Sequence, residues 1–327
     1  MKNVLVTGGT GFIGSNLAAA LVGRGFTVRI LRRPSSDLSN VKELDVEHCL
    51  GDIREKESLR KAIRGCDTVF HTAAMVSFRR EKREEQHDIN VGGTANVVDV
   101  CLEEGVERLI HTSSIAALGH PVGGGLADET TIFNWQSADN GYKNSKHDAE
   151  KEIERAVGKG LQAVMVNPAV VIGPGDIHFN GGKFIRSVVK HQALFTIDGG
   201  TNIVYVGDVV NGQILAATKG KTGERYILGG ENLTHKEVFQ IIARSVGGIV
   251  PRIRMPIPVV RLGANILEIV GNIFGVDPLL TPEMISGAGL YNWYSSEKAC
   301  RELGYTITPF RQAVEITFRW YREHGLL

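Results

Sequence analysis

The sequence is short of cysteine, of net charge and of long apolar runs, and each shortage removes a class of protein. Its four cysteines, Cys49, Cys66, Cys101 and Cys300, lie far apart in 327 residues, with no CxxC pair and no Cys/His cluster. Neither a metal site nor a disulfide framework is indicated, and a reducing, cytoplasmic compartment fits. Lys plus Arg number 37 against 36 Asp plus Glu, a formal charge of +1, so the basic excess expected of a nucleic-acid-binding protein is missing. No window of about 18 purely apolar residues appears, so no integral membrane segment is expected. The amino-terminal MKNVLVTGG runs straight into a strand pattern, without the apolar core and cleavage site of a signal peptide. Internal repeats and low-complexity tracts are also lacking. What remains is ordinary for a globular chain, with 43% hydrophobic and 22% charged residues. A chain of this length hides roughly 75% of its unfolded surface and needs no covalent staple.

The first 170 residues alternate short apolar runs with amphipathic stretches. Strands are expected at Val4–Thr7, Phe26–Leu31, Val46–Leu50, Thr68–His71, Arg108–Thr112 and Ala163–Asn167. Helices are expected at Ser15–Val22, Gly92–Glu104 and around His147–Ala156. This rhythm predicts an α/β fold, a doubly wound parallel (Rossmann) sheet covered on both faces. After Pro168 the rhythm breaks. Ile172–Gly182 reads as a loop, then Ile203–Val206, Asp208–Thr218 and Arg225–Leu228 resume as strand, helix and strand. From Thr234 the chain reads as mainly helical, with proline-punctuated loops at Pro251–Pro258 and Pro278–Pro282. The expected division is a dinucleotide-binding domain of residues 1–170 plus 203–230, and a smaller, mainly helical substrate domain of residues 171–202 plus 231–327.

Residues 7–14, TGGTGFIG, place Gly8, Gly11 and Gly14 between the first strand and the first helix. There Gly8 permits a tight turn, Gly11 lets the backbone approach a pyrophosphate, and Gly14 lets the helix pack on the sheet. The helix N-terminus then faces the anion with free N–H groups. The second strand runs into Arg32 and Arg33 with no acid at its end, and Asp37 comes four residues after Arg33. That pattern favours the 2′-phosphate of NADP over the bare ribose of NAD, the lesser alternative being that both arginines are solvated surface residues. Asp52, in LGDI, reads either as a partner for the adenine amino group or as a residue of a helix N-cap region.

Tyr142 and Lys146, in YKNSK, are one helical turn apart on one face. A lysine ammonium beside a phenol lowers the phenol's pKa and makes it a usable general acid or base. The same spacing recurs at Tyr294 and Lys298, in YSSEK. Position separates the two. Tyr142 follows the fifth strand, whose end carries Ser113 and Ser114, and ligand groups gather at the carboxyl ends of such strands. Tyr294 comes after the βα pattern has ended, where Ser295 or Ser296 looks like the N-cap of a helix. His71 and His111 read as satisfied core histidines, and His87 and His147 as residues of polar helix faces. The mixed-sign run RREKREEQHD at 79–88 reads as a solvated face. Asp67 and Asp208 are not spaced as a catalytic pair.

The motifs TGGTGFIG, LGDI, HTAA (71–74), INVGGT (89–94), HTSS (111–114), YKNSK and NPAVVIGPGD (167–176), in that order, resemble those of an extended short-chain dehydrogenase/reductase of the NAD-dependent epimerase/dehydratase superfamily. The resemblance spans almost the whole chain. It implies Ser114, Tyr142 and Lys146 as the catalytic set. It implies a cofactor held by Gly8, Gly11, Phe12, Ile13 and Gly14, and by Arg32, Arg33, Asp52 and Ile53. Ala73, Ala74 and Thr112 would pass it, and Asn167, Pro168 and Val170 would begin the nicotinamide pocket. It also implies a homodimer. ILRRPSSDL, HTSSIAALG, GERYILGGENLT and CRELGYTITPFRQAV are more similar to the dihydroflavonol 4-reductase branch, with its bacterial hopanoid-associated sugar epimerases. Leu118 and Asn167 stand where nucleotide-sugar epimerases often carry an aromatic residue and an arginine, which weakens a nucleotide-sugar substrate.

The expected activity is therefore NADPH-dependent reduction of a ketone, or the reverse oxidation of a secondary alcohol, with NAD as the other cofactor. The alternative is a nucleotide-sugar epimerase or dehydratase in which hydride leaves and returns within one cycle. A non-catalytic dinucleotide sensor would have no need of the Ser/Tyr/Lys set. Residues 256–274 add one cue to the small-molecule substrate. Arg261, Asn265, Glu268 and Asn272 form one narrow polar stripe on a helix whose remaining surface is apolar. That surface is expected to pack on the smaller domain, or else to line a pocket for an apolar carbonyl compound or rest against a membrane.

Overall fold

A computed structural model describes residues 1–121, 125–135, 140–274 and 280–327, without the side chain of Asn272. Pro278 of the second proline-rich loop therefore lies outside the described residues.

Among the described residues the strands are β1 (Asn3–Thr7), β2 (Thr27–Arg32), β3 (Glu47–Leu50), β4 (Thr68–His71), β5 (Arg108–Thr112), β6 (Ala163–Pro168), β7 (Val170–Ile172), β8 (Phe195–Thr196), β9 (Gly200–Tyr205), β10 (Arg225–Leu228), β11 (Glu231–Thr234), β12 (Ile253–Arg254) and β13 (Tyr291–Asn292). The α-helices are α1 (Phe12–Val22), α2 (Lys56–Ile63), α3 (Arg83–His87), α4 (Gly93–Glu103), α5 (Gly141–Val157), α6 (Lys183–Val189), α7 (Val206–Lys219), α8 (His235–Val246), α9 (Ile257–Phe274), α10 (Glu297–Leu303) and α11 (Phe310–Glu323).

Seven strands form one sheet in the order β10-β6-β5-β4-β1-β2-β3, and every pair in it is parallel. The expected doubly wound sheet is therefore present. Its inner strands β1, β4, β5 and β6 are largely buried because both faces are covered, whereas the edge strand β3 is mostly exposed. Along β1 the side chains alternate: Val4 and Val6 join Leu17 and Leu21 of α1 and Val209 of α7 on one side. Leu5 joins Leu59 and Ile63 of α2, Val97 of α4 and Ile153 of α5 on the other. The order reverses between β1 and β4, which opens a crevice at the strands' carboxyl ends.

A smaller sheet, β11-β9-β13 with β7 beside β9, begins just after the end of β6. It packs with α6, α8 and α11 through Ile185, Val188, Val238, Ile242 and Val314. Of the expected strand Ile203–Val206, Ile203–Tyr205 falls in the smaller sheet as the end of β9, and Val206 opens α7, which returns to the larger one. Ile172, expected to open a loop, instead ends β7.

α9 departs most from expectation. Only a narrow part of its apolar surface packs on the smaller domain. Val260, Ala264 and Gly271 are buried, whereas Val259, Leu262, Ile266, Leu267, Ile269, Val270, Ile273 and Phe274 are exposed. Among the described residues no helix is long and apolar enough to cross a membrane.

Candidate active site

The turn from β1 to α1 is built of backbone. Gly8 has φ +66°, and a Cβ there would lie 2.7 Å from the Ala73 Cα. A Cβ on Gly14 would overlap the Gly8 carbonyl oxygen. Both positions need glycine, one for conformation and contact, the other for contact alone. Gly11 is the N-cap of α1 and offers no side-chain cap, so the first-turn N–H groups at Phe12, Ile13 and Gly14 are left to an outside acceptor. A dinucleotide pyrophosphate fits that set of donors.

The next strand ends carry the polar residues. At the end of β2, the Arg32 Nε donates to His48 Nδ1 at 3.1 Å. Arg33 is exposed and makes no ion pair among the described residues. Asp52, after β3, accepts from the Arg54 guanidinium at 2.8 and 3.1 Å and from the Arg54 backbone N–H, and this holds its carboxyl below the usual range. It does not cap α2, whose N-cap is Glu55. Ile53 is core, with its carbonyl accepting from Asn96 at 3.1 Å. After β4, Ala73 closes against Gly8 and Ala74 is exposed.

The central group forms where β5, β6 and the start of α5 meet. Asn140 caps α5 by accepting from the Lys143 N–H at 3.0 Å, so the helix starts at Gly141 and Tyr142 falls in its first turn. There the Tyr142 phenol comes near enough to the Ser114 hydroxyl for the serine to pull the phenol's pKa down. Ser114 is fixed as the N-cap of a short 3-10 turn, accepting from the Ala116 N–H at 3.1 Å. Lys146 is buried one turn beyond Tyr142, its Nζ donating to the Thr112 carbonyl at 3.0 Å. The Thr112 hydroxyl donates to Gln213 at 2.8 Å. Asn167, on β6, donates to the Ser114 carbonyl at 3.0 Å and to Glu150 Oε1 at 2.6 Å. Pro168 ends β6 beside Leu228, and Val170 starts β7, which turns away into the smaller sheet.

The sequence reasoning expected a lowered tyrosine pKa. Here burial raises it, with the Ser114 hydroxyl pulling the other way. The lysine charge does not offset this: Lys146 donates its hydrogen bond to the Thr112 carbonyl, and burial pushes its pKa down to about 8 against the pull of Glu150. A phenol with a raised pKa is a proton donor at neutral pH.

Four residues around this group carried no role in the sequence reading. Asn90, buried in the π-helical turn before α4, donates to Ser145 Oγ at 2.9 Å and clamps the Met75 backbone. Glu150 follows Lys146 by four residues, a helical pair visible in the sequence. Asn140 sits just before the helix, the usual place of a cap, and it also reaches the Glu283 carbonyl and Ser286 Oγ at 3.1 Å. Lys143 lies over the Trp135 ring, pushed down to about 7 by burial.

Other expectations divide. Tyr294 is buried with its hydroxyl donating to the Gly119 carbonyl at 3.2 Å, and Lys298 binds Glu224 and the Arg225 carbonyl. The two share no helix, since α10 begins at Glu297. His71 is satisfied by Thr7 and Thr94 at 2.7 and 3.0 Å. His111 is not: both its ring nitrogens are buried without a hydrogen bond, and burial pushes it well below the usual range. His147 stacks on Phe133 at 4.1 Å rather than lying on a polar face. The run at 79–88 is not wholly solvated, because Gln86 is buried and Arg83 pairs with buried Glu283.

Fold and comparisons define the class: an NAD(P)-dependent enzyme of the extended short-chain dehydrogenase/reductase type. The chain belongs to the 3-beta hydroxysteroid dehydrogenase/isomerase family, whose sequence model matches residues 5–230. It is 34% identical to a putative dihydroflavonol 4-reductase of Synechocystis sp., over 98% of this chain and 94% of that one. It is 32% identical to sterol demethylase protein B of Methylococcus capsulatus, over 99% of each. The crystal structure of gox2253 is 37% identical and covers 100% of both chains with a TM-score of 0.88.

Proposed function

We propose that the protein is an NADPH-dependent reductase of a ketone carried on an apolar ring skeleton, working in reverse on the secondary alcohol. The observation that carries this reading is the meeting of Ser114, Tyr142 and Lys146 at the ends of β5 and β6. The nicotinamide, when bound, supplies the hydride that goes to the carbonyl carbon. Tyr142 gives its phenolic proton to the carbonyl oxygen, and its raised pKa keeps that proton in place at neutral pH. The Ser114 hydroxyl holds the same oxygen as charge develops on it. Lys146, one turn along α5, turns its ammonium from the Thr112 carbonyl toward the phenolate left behind and steadies it. Asn167 and Glu150 position Ser114 and Lys146 from beneath.

Gly8, Gly11, Phe12, Ile13 and Gly14 would hold the pyrophosphate. The exposed Arg33, with Arg32 beside it and no acid at the strand end, would hold a ribose 2′-phosphate. The two relatives' names, one a flavonoid reductase and the other a sterol-processing protein, support an apolar polycyclic substrate.

Two experiments test the proposal. In fluorescence titrations NADPH binds more tightly than NADH, and Arg33→Ser removes about tenfold of the NADPH affinity while leaving NADH unchanged. Equal affinities in the unmodified protein contradict the cofactor assignment. In a panel of aromatic and terpenoid ketones against nucleotide sugars, NADPH oxidation occurs with the ketones. Turnover confined to nucleotide sugars, without cofactor consumption, contradicts the substrate class and favours an epimerase.

A further inference from the structure

The exposed side of α9 continues beyond the helix. The short β8–β12 pair sits at its start, with the Met255 N–H bonded to the Thr196 carbonyl at 2.8 Å just before the helix begins. On that pair and the turns beside it, Leu194, Ile249 and Ile253 are exposed by 69%, 65% and 60%. On the helix, Leu262 and Ile273 are exposed by 62% and 71%. At 100° per residue, Val259, Leu262, Ile266, Ile269 and Ile273 fall on one side, opposite buried Val260 and Ala264. Arg261 and Asn265 flank that side and Glu268 lies nearer the protein, so the helix has an apolar outer face with a polar edge. Soluble proteins seldom leave so many large apolar residues together in water.

Charge narrows what covers this face. Lys190, Arg252, Arg254 and Arg261 are exposed around it. The acidic groups in segments 183–198 and 252–274 are Asp198, already paired with Arg254, and Glu268. An apolar face rimmed by cations matches a bilayer surface of anionic lipid, whose headgroups meet the arginines while the apolar residues enter the acyl boundary. The helix is about 27 Å long at 1.5 Å per residue, too interrupted by Arg261 and Glu268 to span, and suited to lying in the plane.

We infer that α9 together with the β8–β12 pair is a docking face by which the protein rests on an anionic membrane. The face also lies close to the candidate site. Ile285 packs with Val260 and Ala264 beneath α9, while its neighbours Glu283 and Ser286 bind Asn140 at the start of the catalytic helix. A docked protein would thus hold its site beside the lipid from which an apolar ketone partitions. Only this last consequence rests on the proposed substrate.

The test is co-sedimentation of the full chain with vesicles, which reads no turnover and so stands or falls apart from the reaction. Phosphatidylglycerol-containing vesicles should retain the protein and pure phosphatidylcholine vesicles much less. The exposed triple variant Leu262→Ser, Ile266→Ser, Ile269→Ser should bind at least about tenfold more weakly, with its solution mass unchanged by light scattering. Arg252→Gln with Arg261→Gln should weaken binding to the anionic vesicles. Absence of binding, or equal binding by the triple variant, overturns the inference. So does a triple variant that turns a dimer into monomers, because the face would then belong to a second copy of the chain.

Discussion

Two stretches of this chain carry the same Tyr-x-x-x-Lys spacing and meet opposite fates. At Tyr142 the Asn140 cap starts a helix beside the ends of β5 and β6, so the phenol comes near Ser114 and the lysine is buried against the Thr112 carbonyl one turn on. At Tyr294 no helix begins until Glu297, so the phenol and the lysine go to separate structural partners, the Gly119 carbonyl and Glu224. Spacing becomes chemistry only where the fold brings a third and fourth group to the same place.

The largest effect that can break this comparison is at Tyr142. Tyr142→Phe should lower kcat for ketone reduction by about 10²–10⁴, the usual contribution of a positioned general acid, with cofactor affinity nearly unchanged. Rapid-mixing kinetics with cofactor titration checks both halves, and near-normal turnover would place the proton donor elsewhere.

A second test uses Lys146. Its ammonium, with a pKa of about 8, is charged below that pH and lost above it. The reduction rate should therefore fall as pH rises through about 8, when the phenolate loses its cationic neighbour. Glu150 raises the lysine's pKa, so Glu150→Gln should move this fall to lower pH. A pH–kcat profile unchanged by that substitution would remove Glu150 from the account.

The smallest effect is at the decoy. Tyr294→Phe deletes one buried hydrogen bond and should cost about 1 kcal/mol of stability in denaturant unfolding, with kcat unchanged. A large loss of activity there would invert the comparison.

Much of the fold was legible because parallel strands buried on both faces read as apolar runs. Thr68–His71, Arg108–Thr112 and Arg225–Leu228 were expected with the bounds they have. The glycine turn was legible because its glycines answer to local geometry. Less local features were not. β7 pairs with a strand some thirty residues on, and nothing in VVI distinguishes it from the loop that follows. The tyrosine's pKa depends on how deeply α5 is buried and on which acceptor Lys146 bonds, neither of which the spacing specifies. For α9 the pattern revealed a broad apolar surface, but amphipathicity does not say whether protein or solvent lies on that side.

The most direct test of the central claim is a reaction with NADPH deuterated at the transferable position of the nicotinamide. The account predicts that a cyclic ketone becomes an alcohol carrying the deuterium, that oxidised cofactor accumulates in equal amount, and that both stop in Tyr142→Phe. Label retained by the cofactor, or a product formed with no oxidised cofactor accumulating, would contradict it.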